Sequence, residues 1–283
     1  MWTQKQLVDD LTDIGLPAGS TVLVHASLDA IGPVEGGAET LVAALQEVLG
    51  AEGTLLVPTF ALESATPVSS DSPLSPEQTT GTGSDYPLNP GQILRSSSDS
   101  DPVDFAEAVR RHPDVFRSEH PALSFAAIGH DAEALVSRVP FHYPLGSEGP
   151  LARLHQRNGW ILLIGVRHTD NISLHLAEIW ASVPYVHRTA PLKSTTGDET
   201  TMLGSPGCTA GFAKIEPLLR QGRILHRRYI GNAESQLMRQ QQAVSMAIAM
   251  LRGNPSALLC DDESCRVCTL ARRMTSEQIL DPI

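Results

Sequence analysis

Apolar positions recur at helical spacing near the start of the chain, at Leu7, Leu11 and Ile14, and Gly15 and Pro17 stop the run. This spacing predicts a helix over residues 4–14. In TVLVHASL, residues 21–28, the pattern changes to a β-branched apolar run of strand length. Gly36 and Gly37 then open AETLVAALQEVLG, an apolar-faced helix that Gly50 closes. GTLLVPTF follows and is almost wholly apolar, as expected of a strand covered on both faces. Strand, helix and strand with short connections predict parallel neighbours in one sheet.

From about residue 64 to residue 104 the pattern breaks. SATPVSSDSPLSPEQTTGTGSDYPLNPGQ is rich in Ser, Thr, Pro, Gly and Asp and has no sustained apolar period. A loop this long in a compact domain is expected to be a lid, a binding loop or a flexible insertion. Short helices are expected in FAEAVRRHPDVF, DAEALVSRV and PLARLHQRNG, and a buried strand in WILLIGV. HTDNISLHLAEIWA reads as a polar turn entering a helix, with Asp170 or Asn171 able to cap it. SQLMRQQQAVSMAIAMLRG reads as one long amphipathic helix. The expected fold is a single α/β domain over residues 1–283, a mostly parallel central sheet flanked by helices with some antiparallel excursions.

Composition narrows the class. The chain has 283 residues, 41% hydrophobic and 19% charged, which suits a globular domain rather than a disordered or fibrous one. No apolar run reaches the length of a membrane span, and residues 1–10 carry acids where a signal peptide needs an apolar stretch. A cytoplasmic location is expected. The net charge of −11, from 32 acids against 21 bases, argues against nucleic acid and anionic membranes as partners. It suits a cationic substrate, although acidity also simply confers solubility.

Cys260, Cys265 and Cys268 form a C-x4-C-x2-C cluster, and Cys208 stands apart. A zinc site is one reading, and cysteines packed as small hydrophobes are the other; the paired spacing of a zinc knuckle is missing. No residue is assigned to a metal, and none is expected to be required for the chemistry.

The densest chemistry lies in GVRHTDNISLHLAE. It leaves a buried strand and enters a helix, the position at which α/β folds place ligands. His175 and Glu178 are three apart and share a helix face, so the carboxylate can fix the tautomer of the imidazole and raise its basicity. His168 and Asp170 in the preceding turn are expected near the same spot. In HASLDAIGPVEGG, His25 and Ser27 share one face at a strand end, and Gly36–Gly37 leads into a helix N-terminus whose N–H groups can hold a phosphate or a carbonyl. No G-x-S-x-G elbow occurs, so a serine-hydrolase triad is not supported.

HASLDAIGPVEGGAETLVAAL followed by GTLLVPTF resembles the opening signature of the aminoglycoside 3-N-acetyltransferases. FRSEHPALSFAAIG resembles that family's R-S-x-H-P-x-x-S stretch. GPLARLHQRNGWILLIGV with DNISLHLAE is similar to its central signature, and SPGCTAGF to its later one. The matches keep the family's order from about residue 4 to residue 270. The resemblance implies acetyl-CoA-dependent acetylation of the 3-amino group of a 2-deoxystreptamine antibiotic, a role in antibiotic resistance, and a fold distinct from the GCN5-related acetyltransferases. It puts the family's H-x-x-E pair on His175 and Glu178. It puts the coenzyme side on His25, Ser27, Leu28, Gly36, Gly37 and Thr59. Two positions depart from the pattern: Ile172 stands where the family usually has Thr, and Gly149 where it usually has Ser.

The expected mechanism follows from the amine. An aminoglycoside ammonium must lose a proton before attacking a thioester, and imidazole is a natural base near neutrality. His175 is the first candidate, oriented by Glu178, and His168 the next. Ser27 with nearby backbone N–H groups is a candidate for the oxyanion. Asp85, Asp99, Asp101 and Asp104 are candidate partners for the other ammonium groups. An acetyltransferase for a different amine, a zinc-stabilised binding module, and a metal-dependent hydrolase using His168, His175 and Glu178 stay open as alternatives. A homodimer also stays open.

Overall fold

The computed structural model describes residues 1–60, 104–193 and 199–280. The expected lid, apart from Asp104, and with it Asp85, Asp99 and Asp101, lies outside these residues. In chain order the strands are β1 (Thr21–Ala26), β2 (Thr54–Pro58), β3 (Phe116–Arg117), β4 (Phe125–Gly129), β5 (Trp160–Ile164), β6 (Thr189–Lys193), β7 (Glu199–Leu203), β8 (His226–Ile230) and β9 (Ala233–Arg239). The helices of the first half are α1 (Gln4–Asp13), α2 (Leu28–Ile31), α3 (Gly37–Leu49), α4 (Phe105–Arg111) and α5 (Ala132–Val136). Those of the second half are α6 (Pro150–Gln156), α7 (Ser173–Trp180), α8 (Glu216–Gln221), α9 (Gln240–Gly253) and α10 (Arg266–Leu280).

One sheet runs β3-β4-β2-β1-β5-β9-β8, and β6 with β7 forms a separate hairpin. Alternate side chains of its central strands enter different cores. Val22, Val24, Leu55, Val57, Leu162 and Ile164 pack with the buried faces of α1, α3 and α4. Leu23, Leu56, Ile161 and Leu163 point the other way, into apolar clusters that include residues of α5, α6, α7 and α9. Helices therefore cover both faces, which is why β2 and β5 read as unbroken apolar runs. Local signals hold where they are strongest. Thr3 and Gln6 make a reciprocal capping box at α1, and left-handed Gly36 with Gly50 brackets α3.

Two expectations are corrected. The sheet is parallel only at its centre, where β1 pairs with β2 and β5, and its other four pairings are antiparallel. The middle strands are joined through helices, whereas β3–β4 and β8–β9 reverse direction directly. The stretch SQLMR is not helical: it belongs to β9, and α9 starts only at Gln240. β9 lies between β5 and β8 and buries Ser235 and Gln236 along with Leu237 and Met238, so neither strand alternation nor an apolar run marks it.

Candidate active site

The carboxyl ends of the three parallel strands, at Ala26, Pro58 and Ile164, open on one cavity with about 930 Å³ of empty space including its mouth. That is the ordinary place for a ligand site in an α/β sheet. His25, Pro58, Asp104, Asp170, Ile172 and His175 are among its lining residues.

His175 reaches the cavity because β5 ends at Ile164 and the chain turns back in two steps. A single 3-10 turn, His168–Asp170, comes first, and α7 then carries His175 and Glu178 into the interior. At the start of α7 the Asn171 carboxamide oxygen accepts from the Ser173 N–H at 3.2 Å, while Asp170 accepts from the Arg167 N–H and the Thr169 hydroxyl. His175 Nδ1 lies 2.7 Å from Glu178 Oε2, and both side chains are at most 5% exposed. An imidazole beside a carboxylate donates from Nδ1, which leaves the Nε2 lone pair for another partner. Phe212 packs against the His175 ring at 4.9 Å between centroids. Tyr185 lies beside Glu178; burial first, and then the Glu178 charge, push its phenol pKa up. A buried His–Glu pair of this kind can take a proton from a group in the cavity and return it to a leaving group.

His168 goes elsewhere. It is fully buried, does not line the cavity, and turns Nδ1 toward the Asn171 carboxamide at 3.3 Å. Burial lowers its pKa, partly opposed by the Glu216 charge.

The six residues expected on the coenzyme side divide. His25 lines the cavity, and its Nε2 is buried without a hydrogen-bond partner among the described residues; burial pushes its pKa down to about 3, so the ring is neutral. Leu28, Gly36 and Gly37 line a second, more open concavity between α2 and α3. Ser27 caps α2, accepting from the Ala30 N–H at 3.3 Å, and its hydroxyl proton remains available to donate. Thr59 is buried against Ser124, with 3.2 Å between hydroxyls. Asp104, the one loop acid among the described residues, lines the cavity but also caps α4 through the Glu107 N–H at 2.8 Å.

Several polar roles were invisible to spacing. Arg117 donates to the Ser124 hydroxyl at 2.7 Å and so ties β3 to β4 beside Thr59. His120 Nδ1 accepts from the Ala122 and Leu123 N–H groups, which forces its proton onto Nε2, where it donates to the Phe141 carbonyl. The R-S-x-H-P-x-x-S stretch therefore shapes the β3–β4 connection. Gly149 departs from the family pattern where a Cβ would run into the Pro144 carbonyl, and Ile172 puts an apolar side chain on the cavity wall.

The aminoglycoside 3-N-acetyltransferase family model matches residues 23–252. Aminoglycoside N(3)-acetyltransferase IV of Salmonella sp is 30% identical over 264 residues, covering 91% of this chain and 90% of the relative. The crystal structure of a histidine-to-alanine mutant of aminoglycoside acetyltransferase AAC(3)-IVa in complex with a gentamicin matches with a TM-score of 0.76 at 29% identity, covering 96% of this chain and 97% of that one. The AAC-IIIb binary complex with CoASH matches at 0.70 and 26% identity, covering 89% and 96%. No helix among the described residues is long and apolar enough to cross a membrane. With the family model spanning most of the chain and this likeness extending over nearly its whole length, the chain belongs to the aminoglycoside 3-N-acetyltransferases, a family of acetyltransferase enzymes.

Proposed function

We propose that this chain transfers the acetyl group of acetyl-CoA to the 3-amino group of a 2-deoxystreptamine aminoglycoside, with His175 as the base. The observation that carries the choice of base is the buried His175–Glu178 pair on the wall of the cavity at the carboxyl ends of β1, β2 and β5. His175 Nε2 removes a proton from the substrate ammonium. The freed amine attacks the thioester carbon, the carbon–sulfur bond breaks, and the departing thiolate takes the proton back from the imidazolium. The second proton on nitrogen passes to solvent to leave the neutral amide, one proton being released per turnover. Glu178 holds the ring and offsets the transient positive charge. Such a base contributes about 10²–10⁴-fold, and holding both substrates in line supplies much of the rest.

Asp170 and Asp104 bring negative charge to the same cavity and suit the remaining ammonium groups of a polycation. Coenzyme A is assigned to the side of His25 and the α2–α3 concavity, with the Ser27 hydroxyl and nearby N–H groups serving the oxyanion.

The test is release of free thiol from acetyl-CoA in the presence of a panel of aminoglycosides, with the product mapped by mass spectrometry and NMR. Release that requires a deoxystreptamine antibiotic, with the acetyl group on N3, is the expected result. Release only with unrelated amines would keep the acetyltransferase and discard the antibiotic substrate.

A further inference from the structure

The cysteine cluster lies outside the machinery just described. Cys208, Cys260, Cys265 and Cys268 come from two segments some fifty residues apart, yet their four Sγ atoms lie within 4.8 Å of one another. All four are free thiols; Cys260 and Cys268 are buried, and Cys208 and Cys265 are half-buried. A zinc ion holds thiolates at about 2.3 Å, which puts the sulfurs at the corners of a tetrahedron about 3.8 Å apart. The cluster is close to that size already.

The surroundings fit a closed metal site. Cys208 is in the loop before the 3-10 turn at Ala210–Ile215; Cys260 and Cys265 precede α10, and Cys268 sits in its first turn. The Cys260 N–H donates to Cys268 Sγ at 3.4 Å, as backbone amides do around a sulfur that carries charge. Four sulfurs leave no position for water or substrate, the arrangement of a structural zinc rather than a catalytic one. Thiolate donors also favour zinc over the hard cations.

We propose that these four cysteines bind one structural zinc ion, and that the ion fastens the C-terminal segment to the wall of the active-site cavity. The link is short. Pro206, Gly207 and Thr209, on either side of Cys208, line the cavity. Phe212, four residues beyond Cys208, packs against the His175 ring. The two segments are already in close contact: Lys214 is anchored on the Leu259 carbonyl of the other segment at 2.7 Å, and a Cβ on Gly211 would meet the same carbonyl oxygen at 2.6 Å. The paired spacing of a zinc knuckle is missing from the sequence because one ligand, Cys208, is brought in by the fold.

The experiment is elemental analysis of the reduced, purified protein, with thiol titration and hydrogen exchange before and after metal removal by a mercurial and a chelator. About one zinc per chain is expected, with the four thiols protected until the metal is displaced. Metal removal is expected to lower Tm by at least about 5 °C. It is also expected to speed amide exchange in residues 205–212 by at least about tenfold. Protein that carries no zinc after growth in zinc-containing medium and has four freely reactive thiols, or a disulfide within the cluster, would overturn the proposal. Cys265→Ser, which removes a half-buried ligand, is expected to weaken zinc retention. If that variant does not fold, cobalt(II) reconstitution of the unaltered chain decides instead: the visible absorption of a tetrahedral tetrathiolate centre supports the site, and an octahedral spectrum removes it. None of these readouts depends on which amine is acetylated.

Discussion

Glu178 meets His175 only through Nδ1, and both are nearly sealed from water, so each limits what the other can do. Without Glu178 the imidazolium formed during turnover would lie in a low-dielectric site with no carboxylate hydrogen-bonded to it. His175→Ala is expected to lower kcat at least about 10²-fold while leaving the KM for acetyl-CoA within about threefold. Glu178→Gln keeps a hydrogen-bond acceptor and loses the charge, so a smaller loss of about 10–10²-fold is expected. Steady-state kinetics on both variants, with circular dichroism to confirm folding, checks this. A His175→Ala enzyme that keeps more than a third of kcat would move the base to another group. This pair was legible in the sequence because three-residue spacing on a helix fixes proximity. His168 was not legible in the same way: its direction is set by the 3-10 turn before α7 and by Asn171, neither of which leaves a periodic trace.

Gly165 decides how β5 delivers the chain to the site. It follows the last residue of the strand with φ +66°, and a Cβ there would run into Ala30 Cβ and stand 3.1 Å from Ala233 Cβ. Gly165→Ala is expected to cost about 1–3 kcal/mol, from the left-handed backbone together with the collision. Gly15→Ala is the control, since Gly15 also has positive φ but no atom within 4 Å of its Cβ. Urea titration of the two variants separates the terms: equal midpoints would mean that α2 and β9 yield freely around residue 165. The same region shows where reading by element succeeds. Helix α3 and strand β2 were predictable because each is bounded by glycine or proline and buries an apolar face, and strand β1 because it is a β-branched apolar run of strand length. β9 escaped because two polar residues, Ser235 and Gln236, are buried in the middle of it, Ser235 with its hydroxyl on the Ala233 carbonyl, so the strand shows neither alternation nor an apolar run. Only Gly231–Asn232, the two-residue turn between Ile230 and Ala233, marked the hairpin locally.

At the scale of the whole molecule, buried and half-buried histidines that stay neutral link folding to pH. His25, His120, His155 and His168 all have lowered pKa values, with burial the largest cause in each and His25 down to about 3. In the unfolded chain each takes up a proton near its ordinary 6.5. Between that value and the folded ones the unfolded state binds more protons, so unfolding free energy rises with pH across this window. The stabilisation is complete above about pH 6.5 and is lost on acidification. Glu107 and Asp131, held low mainly by Arg110 and Arg157, act in the same direction at lower pH, while half-buried Asp104, raised by desolvation, opposes them. Thermal or urea unfolding from pH 8 to pH 5 is therefore expected to show stability falling below about pH 6.5, before most carboxylates protonate. At pH 5.5 the slope is expected to report at least about one proton taken up on unfolding, since His25 alone supplies nearly that. Zinc content measured in the same samples separates this effect from protonation of the four thiolates, which would add a loss of its own. Stability that stays flat from pH 7 down to pH 5 with the metal retained would mean that these histidines are reached by protons in the folded state.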